Sequence, residues 1–460
     1  MKITVLNGSP KGKMSITLML TGYIQKKFPG HEFKILNIAQ NIQKITRDIK
    51  IFNEIIDSVK SSDGVLWSFP VYIMNVCSQY QRFIELILER DIKNAFENKY
   101  TAVLTTSINF HDNLAHNYMN AICDDLNMKY VGYFSAYMMD LFRKEIIRKR
   151  LILFADNYFN AIKDSKPTIK NYRPITYKNF NYSPGKPKKK IDTGSKKIII
   201  LTDSSDENTN LQKMIFRFNE PLSNKAEIIN LYDIDIKGPC LECLKCGFNN
   251  VCSYYDKDSF MDFYNTKVKT ADIIIIAGNI KNRYLSSRWK LFFDRSFFNT
   301  HSPSFMGKQI GFIISGPLSQ IPNLRQTLEA WIEFQQSNTV GFITDEFGDS
   351  EKIDRLLQSC AEDIIWFSNN NYIKPRTFLG IGGMKIFRDQ IWGKLRFIFQ
   401  ADHRFYKKHG FYDFPQKDFK SRLINAFMIP LTKIPAVRKK FPKVMNTMVS
   451  RQFKRIIKDG

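Results

Sequence analysis

Short runs that are apolar at nearly every position recur along the chain, each closing in a cluster of Gly, Ser, Thr, Asn or Pro. Four lie in the first third: ITVLNGSP from Ile3, DGVLWSFP from Asp63, YTAVLTTS from Tyr100 and YVGYFSAY from Tyr130. Four more follow later: KIIILTDSS from Lys197, DIIIIAGN from Asp272, KQIGFIISG from Lys308 and TVGFITDEF from Thr339. Unbroken Val/Ile-rich runs of this kind read as strands buried on both faces, as in parallel sheets. Between them apolar residues return every third or fourth position, as in SQYQRFIELI (78–87), HDNLAHNYMNAICDDL (111–126) and LRQTLEAWIEFQQS (324–337), which predicts amphipathic helices. The pattern is therefore α/β, with two tandem doubly wound parallel-sheet domains. In such sheets ligands bind beyond the carboxyl ends of the strands, where the Gly/Ser-rich loops lie.

Charge divides the chain further. The net charge is +25 over 460 residues, a length that suits more than one core. Residues 163–197 hold 11 Lys+Arg against 2 acidic residues, and residues 366–460 hold 21 against 5. The rest is neutral overall, which predicts bodies at 1–162 and 198–365, a basic Pro/Lys-rich linker at 163–197 and a basic, mainly helical extension at 366–460. The extension interleaves Lys and Arg with Phe, Trp, Ile and Met. That composition suits an anionic membrane surface, an acidic redox partner, or an extension that folds its apolar face back onto the domains. It carries no recognisable nucleic-acid motif, so no specific nucleic acid is expected. No leader-like or membrane-length apolar run is visible, and the expected location is cytoplasmic, with a peripheral place at the inner membrane surface open through the extension.

The first loop, LNGSPKGKMSIT, runs from a strand into a helix start. Backbone N–H groups and the helix dipole favour an anion there; Ser9, Ser15 and Thr17 add hydroxyls, and Lys11 and Lys13 add charge. This suits a phosphate monoester such as that of FMN. The corresponding loop of the second body, TDSSDENTN, carries Asp203, Asp206 and Glu207 and no lysine, which disfavours a dianion.

The stretch CLECLKCGFNNVC places Cys240, Cys243, Cys246 and Cys252 in one loop of the second body. In a reducing compartment these read as metal ligands rather than disulfides. Zinc sites usually pair two C-x2-C knuckles a dozen or more residues apart, whereas closely spaced cysteines suit a [4Fe–4S] cube. A structural zinc or inert thiols are the alternatives. The other cysteines, Cys77, Cys123 and Cys360, and the Phe292/Phe293/Phe297/Phe298 group read as core packing.

The loops LNGSPKGKMSIT and SFPVYIMNVCSQYQRFIE resemble the phosphate and flavin-ring loops of the flavodoxin-like, NAD(P)H-dependent FMN reductases. The cysteine loop followed by DIIIIAGNI resembles the motif of the iron–sulfur flavoproteins within that group. The resemblance implies a flavodoxin-like fold in both bodies. It also implies FMN on the first, with Pro70, Val71, Tyr72 and Ile73 against the ring, and Thr106, Ser107 and Phe110 at the third loop. His111 is the candidate catalytic residue, approaching the flavin or its hydride donor. Because iron–sulfur flavoproteins place the cluster of one subunit near the FMN of another, a tandem chain would form that pair internally, as a pseudo-dimer. The activity implied is oxidoreduction between NAD(P)H, or a ferredoxin-like carrier, and an acceptor through FMN and the cluster. The alternative is a non-enzymatic electron carrier or redox sensor.

Overall fold

The computed structural model describes residues 1–137 and 140–459; Met138, Met139 and Gly460, the last residue of the predicted extension, lie outside the described residues. The first body is a five-stranded parallel sheet of β1 (Lys2–Asn7), β2 (Glu32–Asn37), β3 (Gly64–Pro70), β4 (Tyr100–Ser107) and β5 (Lys129–Tyr137). Its order is β2-β1-β3-β4-β5, the doubly wound order of flavodoxin-type sheets. The second is built on β6 (Ile198–Thr202), β7 (Glu227–Asn230), β8 (Ile273–Lys281), the short β9 (Tyr284–Leu285), β10 (Gln309–Ser315) and β11 (Asn338–Thr344). Its parallel strands run β7-β6-β8-β10-β11, the same order, with β9 turned back antiparallel on β8. The central strands β1, β3, β4, β8 and β10 are buried almost end to end, which is why their sequences read as unbroken apolar runs.

The helices that position the site are α1 (Ile16–Lys27), α2 (Ser78–Glu89), α3 (Asp112–Asp125), α4 (Asn210–Asn219), α5 (Ser287–Ser296), α6 (Pro322–Phe334) and α7 (Phe378–Trp392). α2 and α5 pack against each other and join the two bodies through reciprocal caps. The Ser78 N–H at the start of α2 donates to Asp294 Oδ2 of α5 at 2.7 Å, and the Ser287 N–H at the start of α5 donates to Glu85 Oε1 of α2 at 2.5 Å. Ser78 and Ser287 are the first residues of their helices, and Glu85 and Asp294 the eighth. Each carboxylate thus sits at the positive end of the other body's helix. One apolar core runs through this junction, from Trp67 and Phe83 to Trp289, Phe293 and Trp331.

Contact clustering divides the chain into Met1–His403 and Arg404–Gly460. Residues 366–403, placed by charge in the extension, therefore belong with the two bodies. The second unit contains α8 (Phe419–Thr432) and α9 (Pro435–Asp459), two helices that pack on each other. Among the described residues, no helix is long and apolar enough to cross a membrane.

Candidate functional site

At the carboxyl ends of β3 and β4 a cavity of about 260 Å³ opens between the bodies. On the first body it is lined by Lys11, Pro70, Val71, Tyr72, Ile73, Met74, Thr106, Ser107 and Phe110. The β3–α2 loop turns back at Tyr72–Asn75, where each residue's N–H donates to the other's carbonyl. Ile73 and Met74 at its tip have φ of 44° and 61°. A β-branched residue in the left-handed region is strained, and such strain concentrates at binding loops. The second body repeats this turn between β8 and β9 with Asn282 and Arg283, at φ of 51° and 63°. There the first residue is asparagine, which tolerates the conformation. Lys290, fully buried and paired with Asp294, donates to the Tyr72 carbonyl at 2.9 Å and ties the strained loop to α5.

Not all of the predicted phosphate-loop residues face the cavity. Ser9 and Ser15 are buried, with their Oγ atoms accepting from the N–H groups of Lys11 and Leu18; the second of these caps α1. Each hydroxyl keeps its own hydrogen for a further acceptor. Thr17 Oγ1 and Thr106 Oγ1 share a 2.6 Å hydrogen bond that braces the first loop on the third. Gly12 has φ +54°, and a Cβ there would meet the Gln40 side-chain oxygen at 2.2 Å, so the loop requires glycine.

His111 is placed differently from its predicted role. It sits at φ 48° before α3 and is not among the residues lining the cavity. Its Nε2 bonds the Leu379 carbonyl of α7 at 3.0 Å. Close packing of that helix explains the GIGG stretch at 380–383: a Cβ on Gly383 would lie 2.6 Å from Phe110, and one on Gly380 would lie 2.8 Å from Glu333.

The second body supplies the opposite wall, including Glu242, Leu244, Tyr264, Phe297, His301 and Trp331. The cysteine loop reaches it through left-handed residues Glu242, Leu244 and Asn250, with φ between 52° and 61°. These coil the chain so that Cys240, Cys243, Cys246 and Cys252 all line one smaller cavity beside the first, with Glu242, Leu244 and Phe297 common to both. Cys240 Sγ lies 2.7 Å from Tyr72 Oη, a direct link between the predicted ring loop and the predicted cluster loop. Cys243 Sγ lies 2.7 Å from Ser253 Oγ. Gly247 is required by packing: its Cβ would meet the Ile398 carbonyl at 2.3 Å. Burial pushes the Cys240 thiol well up and that of Cys246 up to about 12. Glu242 is pushed up to about 7 by burial, against the pull of Lys11, whose Nζ is 3.9 Å from its carboxylate. Among the described residues, no group of three or more His, Cys, Asp or Glu converges as a single metal ion would require. Phe297, expected as packing, instead lines both cavities and lies edge-on to Tyr72 at 5.4 Å.

Sequence reasoning missed one pair. His301, buried at the cavity wall, stacks on Phe387 of α7 at 4.0 Å. Its Nδ1 lies 2.8 Å from Oδ2 of the fully buried Asp402. Asp402 Oδ1 accepts from the His301 N–H at 3.0 Å, Ser302 Oγ at 2.8 Å and Thr300 Oγ1 at 2.5 Å. The two residues are 101 positions apart, in segments read separately as helix end and basic extension, and no local signal joins them.

The second body's own strand-end loops are crossed by the linker. Thr176 N–H donates to Gln320, Lys178 to the Phe347 carbonyl, and Tyr182 N–H to Asn210 at the start of α4. Asp203 is held by Ser286, and burial raises its carboxyl. The acidic loop and the overlying strap disfavour a phosphate at the second body's strand ends.

The profile of the NADPH-dependent FMN reductase family matches residues 1–139. That match spans the first body, from β1 to β5, and does not reach the second. No curated protein matches the chain. Among solved structures, the flavoenzyme NAD(P)H:(acceptor) oxidoreductase FerB from Paracoccus denitrificans is similar at 20% identity, over 35% of this chain and 97% of its own, with a TM-score of 0.30. General stress protein 14 from Treponema denticola, solved with FMN, is similar at 11% identity, over 36% of this chain and 99% of its own, with a TM-score of 0.27.

Proposed function

We propose that the chain is an NAD(P)H-dependent flavin oxidoreductase in which FMN on the first body exchanges electrons with a [4Fe–4S] cluster on the second. One observation carries this reading: the cavity lined by Lys11, Pro70–Met74 and Thr106–Phe110 shares a wall with the cavity lined by all four loop cysteines, and Tyr72 touches Cys240 across it. The lining residues supply donors of the right kind for both groups, with four thiols around the smaller cavity. Lys11 at the cavity wall and the start of α1 suit the phosphate, and the Ser9 and Ser15 hydroxyls still have a hydrogen to donate. Tyr72 and Phe110 offer aromatic walls for the ring. The preference for a cluster over zinc rests on the close C-x2-C-x2-C-x5-C spacing in one loop, since zinc sites usually pair two knuckles a dozen or more residues apart.

Bound FMN accepts a hydride as two electrons and can release them singly, which joins a nicotinamide donor to a one-electron centre. The protein's part is positional. Lys290 and Asp294 hold the Tyr72 turn, and Tyr72 packs edge-on against Phe297, which lines both cavities. Asp402 fixes the proton of His301 on Nδ1, which leaves Nε2 as the proton-accepting nitrogen, so the ring at the cavity wall is set as a relay that takes a proton and passes it to an acceptor reduced there. The reciprocal caps of α2 and α5 and the matching strand orders support a tandem duplication folded as an internal pseudo-dimer. A ferredoxin-like carrier is the alternative donor.

The test is anaerobic mixing with NADPH. The native chain is expected to bleach at both the flavin and the iron–sulfur absorption. A Cys246→Ser chain is expected to keep FMN and its bleaching while losing the second phase. Identical traces from the two proteins would overturn the pairing.

A further inference from the structure

Independently of either cofactor, the unit 404–460 has a surface chemistry that the redox reading leaves unused. It holds 15 Lys+Arg against 3 acidic residues, so 57 residues carry a net +12, nearly half of the chain's +25. No acidic residue occurs between Asp418 and Asp459. The same segment exposes large apolar side chains: Phe419, Leu423, Ile424, Phe427 and Ile429 of α8 are each more than half exposed, as is Ile457 near the end of α9. From Leu423 to Leu431 every residue except Asn425 is apolar, and neither face of α8 is buried. A solvated basic helix needs no such residues, and a helix that packed them away would not expose them.

From this combination we infer that α8 and α9 dock on an anionic lipid bilayer surface. The apolar side chains enter the headgroup boundary, and the Lys and Arg of α9, among them Arg438, Lys439 and Lys440, meet lipid phosphates. The other occupants fit less well. Nucleic acid would satisfy the cations but leave Leu423, Ile424 and Phe427 in water. A second copy of the unit would bring its own +12 against this one. Neither helix can span a bilayer, so the unit lies in the interface.

The test is sedimentation of the full chain with vesicles of phosphatidylcholine alone or with phosphatidylglycerol added. Binding is expected only to the anionic vesicles, and is expected to weaken in high salt. Two charge-defined variants separate the contributions. Leu423→Gln with Phe427→Gln leaves the charge unchanged and removes two exposed side chains; it should lower vesicle affinity about tenfold or more. Arg438→Gln with Lys439→Gln and Lys440→Gln should lower it at least as much and flatten the salt dependence. Three results would each overturn the inference: no binding to anionic vesicles, unchanged binding by the Leu423/Phe427 variant, or binding to a DNA duplex that exceeds binding to the vesicles.

Discussion

Replacing Asp402 by asparagine probes the cavity wall with almost no change of shape. Oδ1 accepts three hydrogen bonds, from Thr300 Oγ1, His301 N and Ser302 Oγ, while Oδ2 faces His301 Nδ1. The asparagine carbonyl therefore takes the Oδ1 position, and its NH2 replaces Oδ2 and donates to His301 Nδ1. The imidazole must then carry its proton on Nε2, the reverse of the native tautomer. Three charge-assisted bonds become neutral, at about 1 kcal/mol each, so stability should fall by about 3 kcal/mol. The chain stays folded, but Nε2 already holds a hydrogen and can no longer take up the proton it would relay. A positioned acid or base contributes roughly 10²–10⁴-fold to a step that moves a proton. We expect kcat/KM with NADPH and a two-electron, proton-taking acceptor to fall by about 100-fold. Reduction of ferricyanide, which takes no proton, should change little. Steady-state kinetics with both acceptors, beside urea unfolding, makes the measurement. Equal losses with both acceptors, or less than a threefold loss with the first, would refute the role given to His301 and Asp402.

Other outcomes are equally specific. Asp294→Ala removes the partner of Lys290, which has no exposed side-chain surface, and uncaps α2; unfolding should be easier by about 3–5 kcal/mol, read by urea titration. Gly383→Val places a side chain where a Cβ already lies 2.6 Å from Phe110, and should cost about 1–3 kcal/mol and weaken FMN retention on gel filtration. Tyr72→Phe should leave stability within about 1 kcal/mol but shift the reduction potential of the cysteine-bound centre, because hydrogen bonds to ligating sulfur tune it; an unchanged potential would place the Tyr72–Cys240 contact outside that centre. His116 is buried against Tyr133 and bonded to Thr105, and burial lowers it from 6.5 to about 4. The unfolded chain takes up the proton first as pH falls, so stability should drop by about 2 kcal/mol between pH 7.5 and 5, and His116→Gln should flatten that slope.

Much of the fold was legible because both bodies use doubly buried strands: runs such as IIIIA in β8 have no polar face to confuse with a helix. The β1–α1 turn and the cysteine loop could be located for a similar reason, since each is a local stretch of distinctive residue types. What could not be read came from contacts across long separations. The role of α7 against Phe110 and His111, the His301–Asp402 pair and the entry of Phe297 into the cavity depend on which surface a helix covers, and periodicity alone leaves that open. Charge drew the boundary of the extension near residue 366, whereas packing carries the first unit to His403. The linker lacks apolar periodicity, so nothing in it announced that it crosses the loops of the second sheet.

The most direct test is quantitation of iron, sulfide, zinc and flavin in the chain purified without oxygen. One FMN with about four irons and four sulfides per chain, and no zinc, is the predicted result. Zinc in place of iron, or a flavin-bearing chain with no sulfide, would contradict an electron path from the first body to the cysteine loop.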